Sequence, residues 1–227
     1  MDKDTHGLVP VQAVERGGIV FVTQDAGPAG HEPPDLPDLM PTGWTIFNVV
    51  EREMEANWKL VMEGFLEGYH IRATHKDTFY PYGFDNLNVI ERFGRNSRVT
   101  YPFRRIRKLA EVPDAERRVD GLLTYVYQLF PNAIVAALSR HSKLVVLEPL
   151  SSSRTKLITW TLGDPAVAEA VIRDSAFVDQ TGGAEDRDVV QVIQRALGSG
   201  ANEFFTFGKF ESAIVHFHRT LGAALAH

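Results

Sequence analysis

The 227-residue sequence predicts an α+β fold in which a curved antiparallel sheet packs on a long C-terminal helix. Two observations carry that prediction. From residue 87 onward apolar and polar residues alternate in short runs bounded by turn residues, the period of half-buried strands. In the final third the period becomes helical. Val189, Val190, Ile193 and Leu197 share one face, and Phe207, Phe210, Ile214, Phe217, Leu221 and Leu225 form a second, longer apolar stripe. Strands followed by an amphipathic closing helix place that helix in the concave side of the sheet.

Taken in order, residues 8–22 read as two short strands joined near Gly17-Gly18, so residues 1–24 form a hairpin too small to be a domain. Residues 25–43 carry Pro28, Pro33, Pro34, Pro37 and Pro41 and read as an extended linker. The main domain spans 44–227. It opens with a strand at Trp44–Val50 and a helix at Glu51–Glu67. Asn88–Phe93 and Arg98–Phe103 flank Gly94-Arg-Asn-Ser. Leu122–Phe130, Ile134–Leu138, Leu144–Leu147 and Lys156–Leu162 follow, about six strands in all. A helix at Glu185–Leu197 precedes the closing one.

With 44% hydrophobic residues, the chain can bury one substantial core. Its 24 basic and 29 acidic residues are interspersed, so neither nucleic acid nor an anionic membrane surface is expected as a partner. No apolar run approaches the roughly 20 residues of a membrane span, and the start lacks a secretory signal, which leads to the expectation of a cytoplasmic protein. Cysteine is absent. Disulfides, thiolate nucleophiles and cysteine-ligated zinc or iron–sulfur clusters are thereby excluded from these residues, and a metal would have to use His, Asp or Glu.

Of eight histidines, His6, His31 and His227 fall in loop or terminal segments. His70 and His75 stand in Asn57-Trp-Lys-Leu-Val-Met-Glu63-Gly-Phe-Leu-Glu67-Gly-Tyr-His70-Ile-Arg-Ala-Thr-His75. On one continuous helix, residues five apart point about 140° away from each other, so a shared metal requires the helix to end or distort between them. Two core or surface histidines remain the alternative. Two imidazoles plus one carboxylate suit non-haem Fe(II), and Asp186 places a carboxylate on the stripe of Val189, Val190, Ile193 and Leu197. A lone buried charge must be paired, protonated or metal-bound; equally, Asp186 near a helix start can serve unpaired N–H groups. Glu63 and Glu67, one turn apart, suit a solvated face, although Glu67 can also support His70. His216 and His218 lie on the closing helix and read as structural. His141 reads as a strand or turn residue.

These segments resemble the large (α) subunit of Rieske-type ring-hydroxylating oxygenases. Asn57-Trp-Lys, Glu63-Gly-Phe and Glu67-x2-His70-x4-His75 are similar to the family's Asn-Trp-Lys, Glu-Asn-Phe and Asp/Glu-x2-His-x4-His run. Glu185-Asp186-Arg-Asp-Val-Val-Gln-Val-Ile-Gln194 and Glu211-Ser-Ala-Ile-Val-His-Phe-His218-Arg resemble two further family segments. The likeness runs from residue 44 onward, and residues 8–22 look like the last hairpin of the family's iron–sulfur domain.

The resemblance implies a helix-grip fold, with His70, His75 and Asp186 as ligands of a mononuclear Fe(II). Glu67 is implied as the acid that carries electrons to the iron from a Rieske cluster on a neighbouring subunit of a trimer. Gly64 replaces the family's usual Asn, and Gln191 a common Glu. The [2Fe-2S] cluster itself needs two cysteines and cannot be carried by these residues. Either they belong to a longer product, or a Rieske-bearing partner supplies the cluster, or the domain has taken another role.

The expected activity is hydroxylation, dihydroxylation or demethylation of a small aromatic or apolar substrate by O2, with electrons from a separate ferredoxin or reductase. A metal-free carrier of an apolar ligand and a zinc hydrolase are the competing readings.

Overall fold

The computed structural model describes residues 11–23, 36–138 and 140–226. Two compact units divide between Thr42 and Gly43. The first holds the hairpin β1 (Gln12–Arg16) and β2 (Ile19–Thr23), paired antiparallel. Its turn needs two residues at positive φ, which Gly17 (60°) and Gly18 (80°) supply at little steric cost. Most of the expected linker lies outside the described residues.

The second unit is built on a seven-stranded, wholly antiparallel sheet. Its strands are β3 (Thr45–Met54), β4 (Val89–Phe93), β5 (Asn96–Pro102), β6 (Leu123–Leu129), β7 (Ala133–Ala137), β8 (His141–Ser151) and β9 (Arg154–Gly163). Their order is β3-β9-β8-β7-β6-β5-β4. Strands β4 to β9 form a meander, each paired with its sequence neighbour, and match the six expected strands. β3 pairs with β9 and makes the seventh.

Five helices accompany the sheet: α1 (Trp58–Gly64), α2 (His70–Thr74), α3 (Ala168–Gln180), α4 (Gly182–Leu197) and α5 (Ser212–Leu225). One core joins Val61, Met62 and Leu66 of the α1 segment, Val99, Val126, Ile134, Val145 and Leu147 of the sheet, and Ala213, Ile214 and Phe217 of α5.

Three expectations need correction. Glu51–Met54 continues β3 instead of starting a helix, because an edge strand tolerates charge on its exposed side and Arg52, Glu53 and Met54 pair with β9. The helix begins only at Trp58. There the Asn57 side chain caps it by accepting from the Lys59 N–H at 2.9 Å, while the Asn57 backbone N–H donates to Gln194 of α4 at 2.8 Å. The closing helix starts at Ser212, so Phe207 and Phe210 belong to the preceding loop, and Leu225 is exposed. On α4, Val189 and Ile193 are exposed and only Val190 of the predicted stripe packs against the core. Among the described residues, no helix is long and apolar enough to cross a membrane.

His141 opens β8 buried, with neither ring nitrogen hydrogen-bonded. Burial, and then the Lys143 ammonium, push its pKa from 6.5 to about 4, against the opposing pull of Asp174 and Asp179. Between those values the unfolded chain binds a proton that the folded chain refuses. Stability at this residue is therefore intact above about pH 6.5 and falls as pH drops toward 4, by on the order of 2–3 kcal/mol at pH 4.5. Urea unfolding of parent and His141→Leu at pH 7.5 and 4.5 is expected to show a shallower acid loss in the variant. Parallel losses in the two proteins would reject this role.

Candidate metal centre

The segment that holds both histidines is shaped by an interrupted helix. α1 stops at Gly64, and the buried Tyr101 hydroxyl of β5 shares its proton between the carbonyls of Phe65 (3.0 Å) and Glu67 (2.9 Å), satisfying acceptors that the helix end leaves open. α2 then lasts only five residues. His75 caps it with φ −101° and ψ 34°, outside helical geometry, so the 140° divergence of an unbroken helix does not arise. The two rings instead approach to 5.1 Å between centroids at 73°.

α4 brings the carboxylate. Asp186, in its first turns, lies 3.0 Å from His75 Nε2 and 3.6 Å from His70 Nε2 through Oδ1. One donor atom from each of His70, His75 and Asp186 falls within 4.8 Å of the others. His75 is buried, whereas His70 and Asp186 are partly exposed.

The far side of each imidazole is also held by a carboxylate. His70 Nδ1 contacts Glu67 Oε1, and His75 Nδ1 lies 2.8 Å from Glu185 Oε2. Glu67 Oε2 further accepts the backbone N–H groups of Tyr69 and His70, and Glu185 Oε2 accepts the Thr78 hydroxyl at 2.7 Å. An ionised carboxylate can only accept, so both Nδ1 atoms carry the proton and each neutral ring presents a lone pair at Nε2. Two lone pairs then converge on the acceptor Asp186. That arrangement is repulsive unless a cation or a proton lies between them, and the donor set therefore fits a divalent metal.

Where no cation is held, a proton on His75 Nε2 fills the same place beside Asp186. Burial opposes charge on His75, but its hydrogen bond and charge interaction with Asp186, and then Glu185, outweigh it and raise the pKa above 6.5. Burial acts to raise the Glu185 pKa, yet bonds from His75 and Thr78 bring it below its ordinary value. Burial, then the charges of Glu67 and Asp186, hold the Tyr101 phenol well above 10 and hence protonated as a donor.

A close contact fixes the His75 ring. Phe79 lies 4.8 Å from it, with Phe177 of α3 6.3 Å beyond Phe79. Gly182 opens α4 against Phe79, and a Cβ there would stand 2.1 Å from Phe79 Cε2. α4 reaches this position only because residue 182 lacks a side chain.

All four sequence-derived candidates, Glu67, His70, His75 and Asp186, meet in one place. Glu67 and Glu63 are not on a solvated face: their side chains are 12% and 16% exposed, and Glu63 pairs with His218 at 2.7 Å. Glu185, Thr78, Phe79, Gly182 and Tyr101 were not identified from sequence. Only Glu185 left a readable sign, standing beside Asp186. Glu185→Gln is expected to weaken divalent-metal binding by about 10–100-fold, the usual effect of losing a ligand's outer partner. Competitive chelator titration measures this, with the exposed Asp188→Asn as control; equal affinity in both variants would reject the role.

A two-histidine, one-carboxylate cluster on helices that cover an antiparallel sheet defines the chain as a candidate mononuclear metalloprotein. Within that class, residues 41–227 match the family described as ring hydroxylating alpha subunit (catalytic domain), and the chain belongs to it. Among solved structures, it resembles the quaternary ammonium Rieske monooxygenase CntA, with TM-score 0.76 and 16% identity. That match covers 100% of this chain and 65% of the other. Naphthalene 1,2-dioxygenase from Rhodococcus sp. aligns with TM-score 0.65 and 13% identity, covering 92% of this chain and 65% of the other. Dicamba monooxygenase aligns with TM-score 0.56 and 14% identity, covering 96% and 71%. These similarities establish the shared fold. The chain thus spans about two thirds of the length of these enzymes, and no curated protein matches it significantly.

Proposed function

We propose that this chain is the catalytic domain of an oxygenase that holds one Fe(II) through His70, His75 and Asp186 and acts on a small, aromatic or apolar substrate. The observation that carries the proposal is the convergence of two Nε2 lone pairs and one carboxylate, each imidazole oriented from behind by a second carboxylate. Membership of the ring-hydroxylating family makes iron the metal of choice over zinc. Iron, when bound, supplies O2 activation for hydroxylation, dihydroxylation or oxidative demethylation.

The protein's own residues do the positioning. Glu67 and Glu185 fix the imidazole tautomers, Phe79 holds the His75 ring from the side, and Tyr101 pins the Glu67 backbone. Glu67 is also the residue through which electrons enter, as family membership suggests. They come from a [2Fe-2S] cluster that these 227 cysteine-free residues cannot build, on a Rieske-bearing chain or within a homotrimer served by a ferredoxin or reductase. In this reading residues 1–24 end an iron–sulfur domain, 25–43 link it, 44–227 form a helix-grip catalytic domain, and the protein works in the cytoplasm.

The test is anaerobic reconstitution. The parent should take up about one iron per chain and turn over only with an external electron donor. Glu67→Gln, loaded at an iron concentration that saturates it, should lose most donor-driven turnover per iron bound. An iron-free parent, or repeated turnover without reductant, would overturn the reading.

A further inference from the structure

A buried cation ties the sheet to the helices that carry the metal-site carboxylates. Lys143 alternates with the core residues Val145 and Leu147 along β8, so its side chain leaves the sheet on the core face, where it is 6% exposed. Its ammonium donates to the Asp179 carboxylate and, at 3.5 Å, to the Ser175 carbonyl, both on α3. Thr161, the register partner of Lys143 on β9, shares a hydrogen bond of 3.2 Å with the Ser175 hydroxyl, and both groups are buried. Ser175 and Asp179 stand four apart on one side of α3, so Lys143 and Thr161 together hold a full turn of that helix on the sheet.

As a source of stability such a pair is weak. Desolvating an ammonium and a carboxylate offsets most of their attraction, and replacing them by apolar residues of similar size is often neutral or stabilising. What the pair adds is placement: apolar contact is non-directional and tolerates sliding, whereas an ammonium that must meet two oxygens on one helical turn fixes that turn.

The turn connects to the candidate metal centre along two routes. Phe177, between Ser175 and Asp179, lies 6.3 Å from Phe79, whose ring is 4.8 Å from that of His75. Two residues past Asp179, the Thr181 N–H and hydroxyl both donate to the Phe177 carbonyl, at 3.0 and 2.6 Å. The Thr181 carbonyl in turn accepts the N–H groups of Ala184 and Glu185, at 2.9 and 3.0 Å. The end of α3 is thus hydrogen-bonded to the first turn of α4, from which Glu185 meets His75 Nδ1 and Asp186 meets Nε2.

We propose that Lys143 is a positioning residue for the metal centre: by holding Ser175 and Asp179 it fixes the α3–α4 junction that delivers Glu185 and Asp186 to the histidines. The inference rests on the reading of His70, His75 and Asp186 as metal ligands.

The test uses the intact chain and Co(II), whose visible absorption bands report ligand geometry. Lys143→Met should lower Co(II) affinity by about three- to tenfold, less than the 10–100-fold of a ligand's immediate partner, and shift the bands. Asp179→Asn keeps an oxygen for the ammonium but loses the charge, and should give a smaller change in the same direction. Because Asp179 is partly exposed, it carries the test even where Lys143→Met does not fold. The control is Arg140→Met, which breaks the exposed ion pair of 3.2 Å between Arg140 and Asp174 on the same helix and should leave affinity and bands unchanged. Melting temperatures of the metal-free proteins measure the purely structural contribution. A lower melting temperature in Lys143→Met and Asp179→Asn with parental affinity and bands would overturn the proposal, as would an equal change in Arg140→Met. A parent that binds neither Co(II) nor Fe(II) defeats the metal-centre reading itself, whereas a metal-binding parent with indifferent variants defeats only the role of Lys143.

Discussion

Asp186→Ala is expected to abolish iron binding under conditions where the parent holds about one iron per chain. Asp186 is the only carboxylate of the triad, and its Oδ1 lies 3.0 and 3.6 Å from the two Nε2 atoms. Removing it leaves two neutral imidazoles and a loss larger than the 10–100-fold expected for an outer partner, so affinity should fall by well over about 100-fold. The stability readout is independent of turnover. A ligand at about 100 times its dissociation constant stabilises the folded state by roughly 2.7 kcal/mol, so anaerobic Fe(II) should raise the parent's melting temperature and leave the variant's unchanged. A variant that retains stoichiometric iron with an undiminished thermal shift sinks the assignment of Asp186.

Gly182→Ala should damage the site without touching a ligand. The added methyl would lie 2.1 and 2.3 Å from Phe79 Cε2 and Cζ, a ring already flanked by His75 and Phe177. Either Phe79 or the start of α4 must move. Overpacking of this kind costs about 1–3 kcal/mol, and 2 kcal/mol corresponds to roughly 4–8 °C in a domain of this size. Metal affinity should fall too, since Phe79 supports one ligand and α4 carries another. Gly182→Ala combined with Phe79→Leu, which vacates part of the contested space, should recover part of both losses. Unchanged melting temperature and metal affinity in Gly182→Ala would show that the contact does not position the centre.

Much of the sheet was legible because alternation along a strand is a local property, and the runs from residue 88 to residue 162 fall within a few residues of β4 to β9. The helical stripes were less reliable. Phe207 and Phe210 keep the helical interval yet sit in a loop, and the stripe on α4 is only half covered. Residues 51–54 read as helix because their propensities favour it, while pairing of β3 with β9 decides otherwise. At the site, the five-residue spacing of His70 and His75 showed that a shared metal requires a helix break, and α2 ends at that point.

The sequence by itself determined the residue types available for chemistry: no cysteine, two histidines within one short segment, and acids near them and in a distant helix. Tertiary structure decided which acids matter and in what order around the rings. Glu185 and Asp186 are adjacent in sequence, yet one faces His75 Nδ1 and the other Nε2, because α4 starts hard against Phe79 at a glycine. It also gathered Arg72, Arg104 and Arg107, distant or separated in sequence, around the rings of Tyr80 and Phe84. Local patterns specify elements because period is a property of neighbours. Sites and surfaces arise where elements distant in sequence pack together, and their geometry exists only after packing.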